Sequence, residues 1–218
     1  GGGKPAPTSG ITLTAAEWKD RARKRGGIAK CLGYKLGIHM RINPMREGGT
    51  GDKDVTAFRH VLVEFDEDPT GRIIPKETQL RVIRDSALPV AALIDSGKKS
   101  LHAWVRVDAA NEEEYDRCVD LIFGLLEKHY IDKQNSNPSR LSRCPDVVRM
   151  VDGEERRQSL LATNFGAESW KAWMAERNMP GAEDRMPIAE LSTYDTSNDP
   201  NNILGNRWLC RGGSLVIV

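Results

Sequence analysis

Residues 88–107, LPVAALIDSGKKSLHAWVRV, read as two strands joined by a tight turn. Leu88 to Asp95 is a short apolar run, Ser96-Gly-Lys-Lys99 is turn chemistry, and the return from Ser100 to Val107 alternates polar with apolar. Strand side chains point to opposite faces in turn. Ser100, His102, Trp104 and Arg106 therefore share one face, and Leu101, Ala103, Val105 and Val107 share the core face. Upstream, VLVEFD at 61–66 follows the same period: Leu62, Glu64 and Asp66 point one way, Val61, Val63 and Phe65 the other. Between them Pro75 opens a helix running to about Asp85, with Leu80, Ile83 and Ala87 at helical spacing. Downstream, Asn111 caps a long helix whose first turn, Glu112 to Glu114, suits the positive end of the helix dipole. Tyr115, Val119, Ile122, Leu126 and His129 make its buried stripe. From Arg59 the order is strand, helix, strand, strand, helix, then a strand near Asp132 or Val147. That is an α+β fold with the split β-α-β-β-α-β (RRM-like) core. It lets the strands opened by Arg59 and Ser100 lie side by side in the centre, with Glu64, Asp66 and His102 on the same open surface.

Working outward, Thr14-Ala-Ala-Glu17 is a capping-box signature opening a basic amphipathic helix, which Gly26-Gly27 stops after about Arg25. Residues 34–42 read as a strand and 47–51 as a Gly-rich loop, giving an N-terminal α/β extension. Gln158 to Thr163 is a further strand, and Glu168 to Arg177 a short helix whose Trp170 and Trp173 read as core anchors. Residues 1–178 thus form one domain. Met179 to Asn202, rich in Pro, Asp, Asn, Ser and Thr, reads as a linker.

At 218 residues the chain is long enough to bury a sizeable core. With 32 basic and 31 acidic residues it is not a polycation, so any nucleic-acid contact must come from a local basic patch. Low aromatic content argues against a broad base-stacking platform. The four cysteines, Cys31, Cys118, Cys144 and Cys210, are far apart with no Cys-x-x-Cys pair, which indicates neither a zinc knuckle nor a disulfide framework. With no signal peptide and no apolar stretch of spanning length, a cytoplasmic, reduced protein with no membrane partner is expected. Gly1-Gly-Gly reads as an appended or unordered end.

Three features carry chemistry. Glu64 and Asp66 on one face of an apolar strand repel each other and lose hydration, costs that a divalent metal relieves; the plain alternative is an exposed strand end with solvated acids. Ser100, His102 and the lysine-rich turn bring hydroxyl, imidazole and ammonium donors to one surface, a good phosphate receptor; the alternative is a polar sheet face with an incidental histidine. Asp132 follows the long helix, and Arg140 and Arg143 fall in the Ser/Asn/Pro-rich loop after it. Arginines so spaced commonly hold phosphate or carboxylate in bidentate fashion, whereas a loop of this composition by itself reads as ordinary surface.

Taken in order, acid-x-acid, Ser-x-His and a lone Asp after a hydrophobic residue (Ile131-Asp132), the chain resembles the archaeo-eukaryotic primase (primase-polymerase) superfamily, in its phage, plasmid and mobile-element branch. Ser-Gly before the second motif and Asn-Pro-Ser-Arg-Leu-Ser-Arg-x-Pro after the third add to the likeness, which spans roughly Arg41 to Trp173. The first motif begins with Glu64 where many members have Asp, which alters the geometry of the site. The resemblance implies a DNA primase or polymerase, adding nucleotides from NTP or dNTP on a single-stranded DNA template. Glu64, Asp66 and Asp132 are then the ligands of Mg²⁺ or Mn²⁺. Ser96, Lys98, Lys99, Ser100 and His102 hold the triphosphate, with Arg140 and Arg143 on the phosphates or the template backbone. It also suggests a primase-helicase fusion: residues 203–218, a Gly-Gly turn entering the apolar run Ser214 to Val218, read as the start of a truncated RecA-like ATPase domain, or else as a terminal strand on the domain's own sheet. Competing readings are a non-catalytic nucleic-acid-binding replication module and a metal-dependent phosphodiesterase or nuclease. If the acids form a mutually repelling cluster, Asp66→Ala and Asp132→Ala should keep or slightly raise the metal-free melting temperature.

Overall fold

A computed structural model describes residues 10–32 and 37–177 and the strand 214–217. β1 (Ile11–Thr14) runs straight into α1 (Ala15–Arg25) through the expected capping box: Thr14 Oγ1 accepts from Glu17 N, and the Glu17 carboxylate accepts from Thr14 N. Gly26, at φ +74°, ends the helix in the left-handed region that glycine tolerates best. Then come α2 (Ile28–Cys31), β2 (His39–Arg41), β3 (Phe58–Glu64), α3 (Lys76–Asp85), β4 (Val90–Asp95) and β5 (Leu101–Ala109). They are followed by α4 (Glu112–Leu126), β6 (Leu141–Arg143), β7 (Val148–Val151), β8 (Glu154–Arg157), β9 (Ser159–Phe165), α5 (Trp170–Glu176) and β10 (Ser214–Ile217).

The main sheet is antiparallel with order β3-β5-β4-β9. Its register sets Glu64 opposite His102 and Leu62 opposite Trp104, with Ile94 opposite His102 on the other side. The alternation expected from sequence holds on both strands. Val61, Val63, Phe65, Leu101, Ala103 and Val105 are buried against α3, α4 and α5 in one core, where Trp170 and Trp173 stack at 4.9 Å. Tyr115, Val119, Ile122 and Leu126 form the stripe of α4; His129 instead falls in a 3-10 turn beyond the helix and is only half-buried.

Two expectations need correction. The sheet has the β3-β5-β4 heart of the split arrangement, but among the described residues no full fourth strand lies beside β3. Ile131 makes a single bridge to Phe65, β7 pairs with β8 in a separate ribbon, and β9 takes the opposite edge, next to β4. The local cause is visible. Tyr130 adopts φ +63°, and Asp132 then caps a 3-10 turn (Lys133–Ser136) by accepting from Gln134 N at 3.0 Å, so the chain bends away after one extended residue. The second correction concerns the face carrying Glu64 and His102, which is not an open surface. A second antiparallel sheet, order β1-β10-β2-β6, and α1 lie over much of it, and Leu62, Ile94 and Trp104 are buried there with Trp18, Met40, Ile42 and Cys144.

β10 pairs with β1 along its length, from Ile11↔Ile217 to Thr14↔Ser214, and touches β2 at Ile217↔Met40. The expected linker, 179–202, lies outside the described residues. So does the first part of the expected 34–42 strand; its end is β2. Cys31, Cys118 and Cys144 are free thiols. No helix among the described residues is long and apolar enough to cross a membrane.

Candidate active site

Where the two sheets part, at the Glu64 end of β3, a cleft of about 500 Å³ opens. Nine of the ten sequence-predicted residues line it: Glu64, Asp66, Ser96, Lys98, Lys99, Ser100, His102, Arg140 and Arg143. Asp132 is not part of the lining. It stands behind Glu64, tied to it by Asp132 N donating to Glu64 O at 2.9 Å and by a shared partner, Asn135.

Glu64 is the hub. Ser100 Oγ donates to its Oε1 at 2.6 Å, His102 Nε2 lies 3.3 Å from the same oxygen, and Asn135 Nδ2 reaches Oε2 at 3.3 Å. The imidazole's orientation follows from its other nitrogen. His102 Nδ1 accepts from Arg143 N at 3.3 Å and lies 3.0 Å from Ser142 Oγ, which itself accepts from Trp104 Nε1 at 2.8 Å. An N–H donor on Nδ1 leaves the ring proton on Nε2, facing Glu64. Burial would raise the Glu64 carboxyl, but the neighbouring His102 and the hydrogen bonds from His102, Ser100 and Asn135 outweigh it and hold the group down at about 2. Ser100 and His102, expected to face phosphate, thus face the first acid of the pair.

Asp66 is differently placed. Its Oδ2 pairs with Lys99 Nζ at 2.9 Å, and the same ammonium reaches Glu67 Oε1 at 2.8 Å. The hydrogen bond to Glu67 and the pairing with Asp66 raise the Lys99 pKa against the opposing effect of burial. Asp66 Oδ1 is buried and has no hydrogen-bond partner among the described residues. Among the described residues no three His, Cys, Asp or Glu side chains are drawn together tightly enough to form a closed metal cage. The donors nonetheless suit a hard divalent ion in kind, being carboxylate oxygens with one of them unpartnered.

Sequence reasoning missed the other half of the cleft. Asn135, 1% exposed, spans Glu64 and Asp132 through Nδ2 (3.3 and 3.1 Å) and accepts from Arg140 Nε at 2.5 Å, linking two acids to one arginine. His39 and Arg41 come from β2, and Arg149 from β7. His39-x-Arg41 is the same alternating signal as Ser-x-His and was readable on that ground; nothing in sequence placed Arg149 here. Arg41 donates to the carbonyls of Ser139 and Thr50, and Arg149 to that of Ser96. Asp52, at the end of the Gly-rich loop, braces the segment beneath Arg140 by accepting from Asn137 Nδ2 and Ser139 N, both at 3.0 Å.

The cleft therefore holds six cationic side chains (Arg41, Lys98, Lys99, Arg140, Arg143 and Arg149) against the carboxylates of Glu64 and Asp66. Among the described residues none of its four arginines pairs with a carboxylate. Burial, then the neighbouring Arg149, lowers Arg143 to about 10, and burial lowers Arg149 as well. Burial, followed by Arg143 and His102, pushes His39 down to about 3. Positive charge crowded without counter-ions is relieved by a polyanion.

No family model matches the chain. No curated protein matches it either. Among solved structures it is similar to the AEP domain of the cyanophage S-2L primase-polymerase (PrimPol), at 18% sequence identity over 70% of this chain and 70% of that one, with a TM-score of 0.46.

Proposed function

We propose that the protein is a metal-dependent nucleotidyltransferase of the primase-polymerase kind, extending a strand on a single-stranded DNA template from NTP or dNTP. The observation that carries this reading is the composition of the cleft: an acid pair, four arginines and Lys98 without a carboxylate partner among the described residues, and Lys99 held on Asp66 all face one 500 Å³ space. A phosphate-bearing substrate satisfies the cations, and a divalent ion satisfies the acids.

Each wall has a task in that reaction. Lys98, Lys99 and Ser96, on the β4–β5 turn, bind the triphosphate, joined by Ser100 and His102 once Glu64 turns to other partners. Arg140 and Arg143 neutralise phosphate oxygens of the nucleotide or of the strand, and Arg41 and Arg149 extend that surface along the second sheet. Glu64 and Asp66, with Asp132 behind them, would hold Mg²⁺ or Mn²⁺, an ion that would lower the pKa of an attacking 3′-hydroxyl and steady the departing pyrophosphate. His102 keeps its Nε2 proton toward the acid because Arg143 N and Ser142 fix Nδ1 as an acceptor. This makes it a hydrogen-bond donor to an anion, and it leaves the acid ionised.

The test is incorporation of a labelled nucleoside triphosphate on single-stranded DNA, with and without a primer, in Mg²⁺ or Mn²⁺. Metal-dependent product that vanishes in Glu64→Ala/Asp66→Ala is expected. Shortened template would point to a phosphodiesterase instead, and DNA binding with no product in any lane would favour a binding module.

A further inference from the structure

We propose that Lys99 is the resident counter-ion of Asp66, given up to a divalent cation when a triphosphate enters, so that metal and nucleotide bind cooperatively. The inference rests on the nucleotidyltransferase reading above and names a positioning role within that site.

Lys99 closes the turn between β4 and β5, with its ammonium 2.9 Å from Asp66 Oδ2 and 2.8 Å from Glu67 Oε1. Its backbone is pinned. Lys99 O accepts from Nε2 of the fully buried Gln79 at 2.9 Å, and Gln79 Oε1 accepts from Leu101 N at 2.8 Å. The four-carbon stem is free to pivot from this fixed point, and the side chain is partly exposed to the cleft. Lys98, its neighbour on the same turn, makes no ion pair among the described residues, so the acids hold one lysine and not the other.

The arrangement makes two kinds of occupancy exclusive. A divalent ion cannot take Asp66 Oδ2 while an ammonium sits at 2.9 Å, because like charges that close repel strongly in a partly buried site. Asp66 Oδ1 is already buried and without a partner among the described residues, so the second donor atom needs no further release. A triphosphate arriving beside Lys98 and Ser100 offers Lys99 a more highly charged partner within reach of its stem. Transfer of the ammonium to phosphate vacates Asp66 for the metal, and metal on Asp66 in turn leaves Lys99 to the phosphate. Linkage requires the two effects to be equal: each ligand raises the other's affinity by the same factor. Asn135 does the uncharged counterpart of this work between Glu64 and Asp132, where its amide spans the two acids.

The experiment measures Mn²⁺ binding by electron paramagnetic resonance on the full chain, with and without a non-hydrolysable nucleoside triphosphate analogue. It compares wild type, Lys99→Met and Lys98→Met. The analogue's own Mn²⁺ affinity is common to all three proteins and cancels between them. Without the analogue, Lys99→Met should bind Mn²⁺ about fivefold tighter than wild type, and Lys98→Met, which frees no carboxylate oxygen, should gain clearly less than Lys99→Met. With it, wild type should gain affinity and Lys99→Met should gain little. Lys99→Gln, which keeps a polar head without the charge, should behave as Lys99→Met does, separating lost charge from lost packing. Equal Mn²⁺ affinity and equal gain in wild type and Lys99→Met would overturn the exchange while leaving the nucleotidyltransferase reading standing. Absence of Mn²⁺ binding by wild type under both conditions would remove the metal reading and the exchange together.

Discussion

The two faces of the main sheet are built from alternate residues of the same strands, yet they behave differently along their length. On the helix side, Val61, Val63 and Phe65 are all buried among apolar neighbours. On the other side Leu62 is just as dry, but two residues later Glu64 keeps about 15% of its side chain exposed, and two further on Asp66 keeps about a third. One face is uniform core. The other is core at one end and an ionic cleft at the other, because the second sheet covers only part of it. The lesson is that strand period assigns a residue to a face, while the reach of the covering layer decides whether that position is core or site.

The comparison yields tests, of which the largest effect belongs to the dry face. Phe65→Ala should lose about 3–5 kcal/mol of stability by urea unfolding, the cost of a large buried cavity. A loss under 1 kcal/mol would mean that the helix-side core is not packed as described. On the cleft side, Glu64→Gln should cost less stability than Phe65→Ala, about 1–3 kcal/mol for a lost charged acceptor, while nucleotide incorporation falls on the order of 10²–10³-fold. If stability falls as far as in Phe65→Ala, Glu64 is structural and the contrast between the faces collapses.

Acid titration separates the faces in a different way. His60, buried beneath the second sheet, has its pKa lowered to about 4 by burial, against the opposing hydrogen bond of Nδ1 to Ile42 O. Its folded pKa lies below the ordinary histidine value, so between pH 6.5 and 4 the unfolded chain binds the extra proton. Stability from this group is complete above 6.5 and declines as pH falls toward 4, at up to about 1.4 kcal/mol per pH unit. His39 adds in the same direction. The stabilisation from Glu64 is complete above the ordinary carboxylate value of 4.5 and is lost as pH falls from there toward about 2. His60→Gln should flatten the slope measured by urea unfolding at pH 7, 6 and 5; an unchanged slope would mean that His60 is protonated in the folded protein.

The smallest effect sharpens what the acids do without metal. Asp132→Ala should cost about 1 kcal/mol of metal-free stability and lower the melting temperature accordingly, because Asp132 caps the following turn at Gln134 N. Asp66→Ala should change it less, since the pair with Lys99 is partly solvated. This reverses the expectation of an unchanged or higher melting temperature. The three acids do not form a bare repelling cluster; each already has an internal partner. A clear rise for both variants would restore the older view.

What the sequence determined by itself was local and periodic. Alternation placed Glu64 and His102 on one face and Val63 and Ala103 on the other. The Thr14–Glu17 box and the Asn111 cap opened α1 and α4, and the Ser96–Lys99 turn closed the hairpin. These features depend on side-chain spacing and on hydrogen bonds a few residues apart, so a single chain displays them. Only the tertiary structure decided that a second sheet covers part of the polar face, that Ile131 makes one bridge in place of a strand, and that Arg149 and Asn135 reach the same cleft as Glu64. Asn135 and Glu64 stand 71 residues apart in the chain. Contacts of that range leave no periodic trace, because what joins them is the packing of one layer on another.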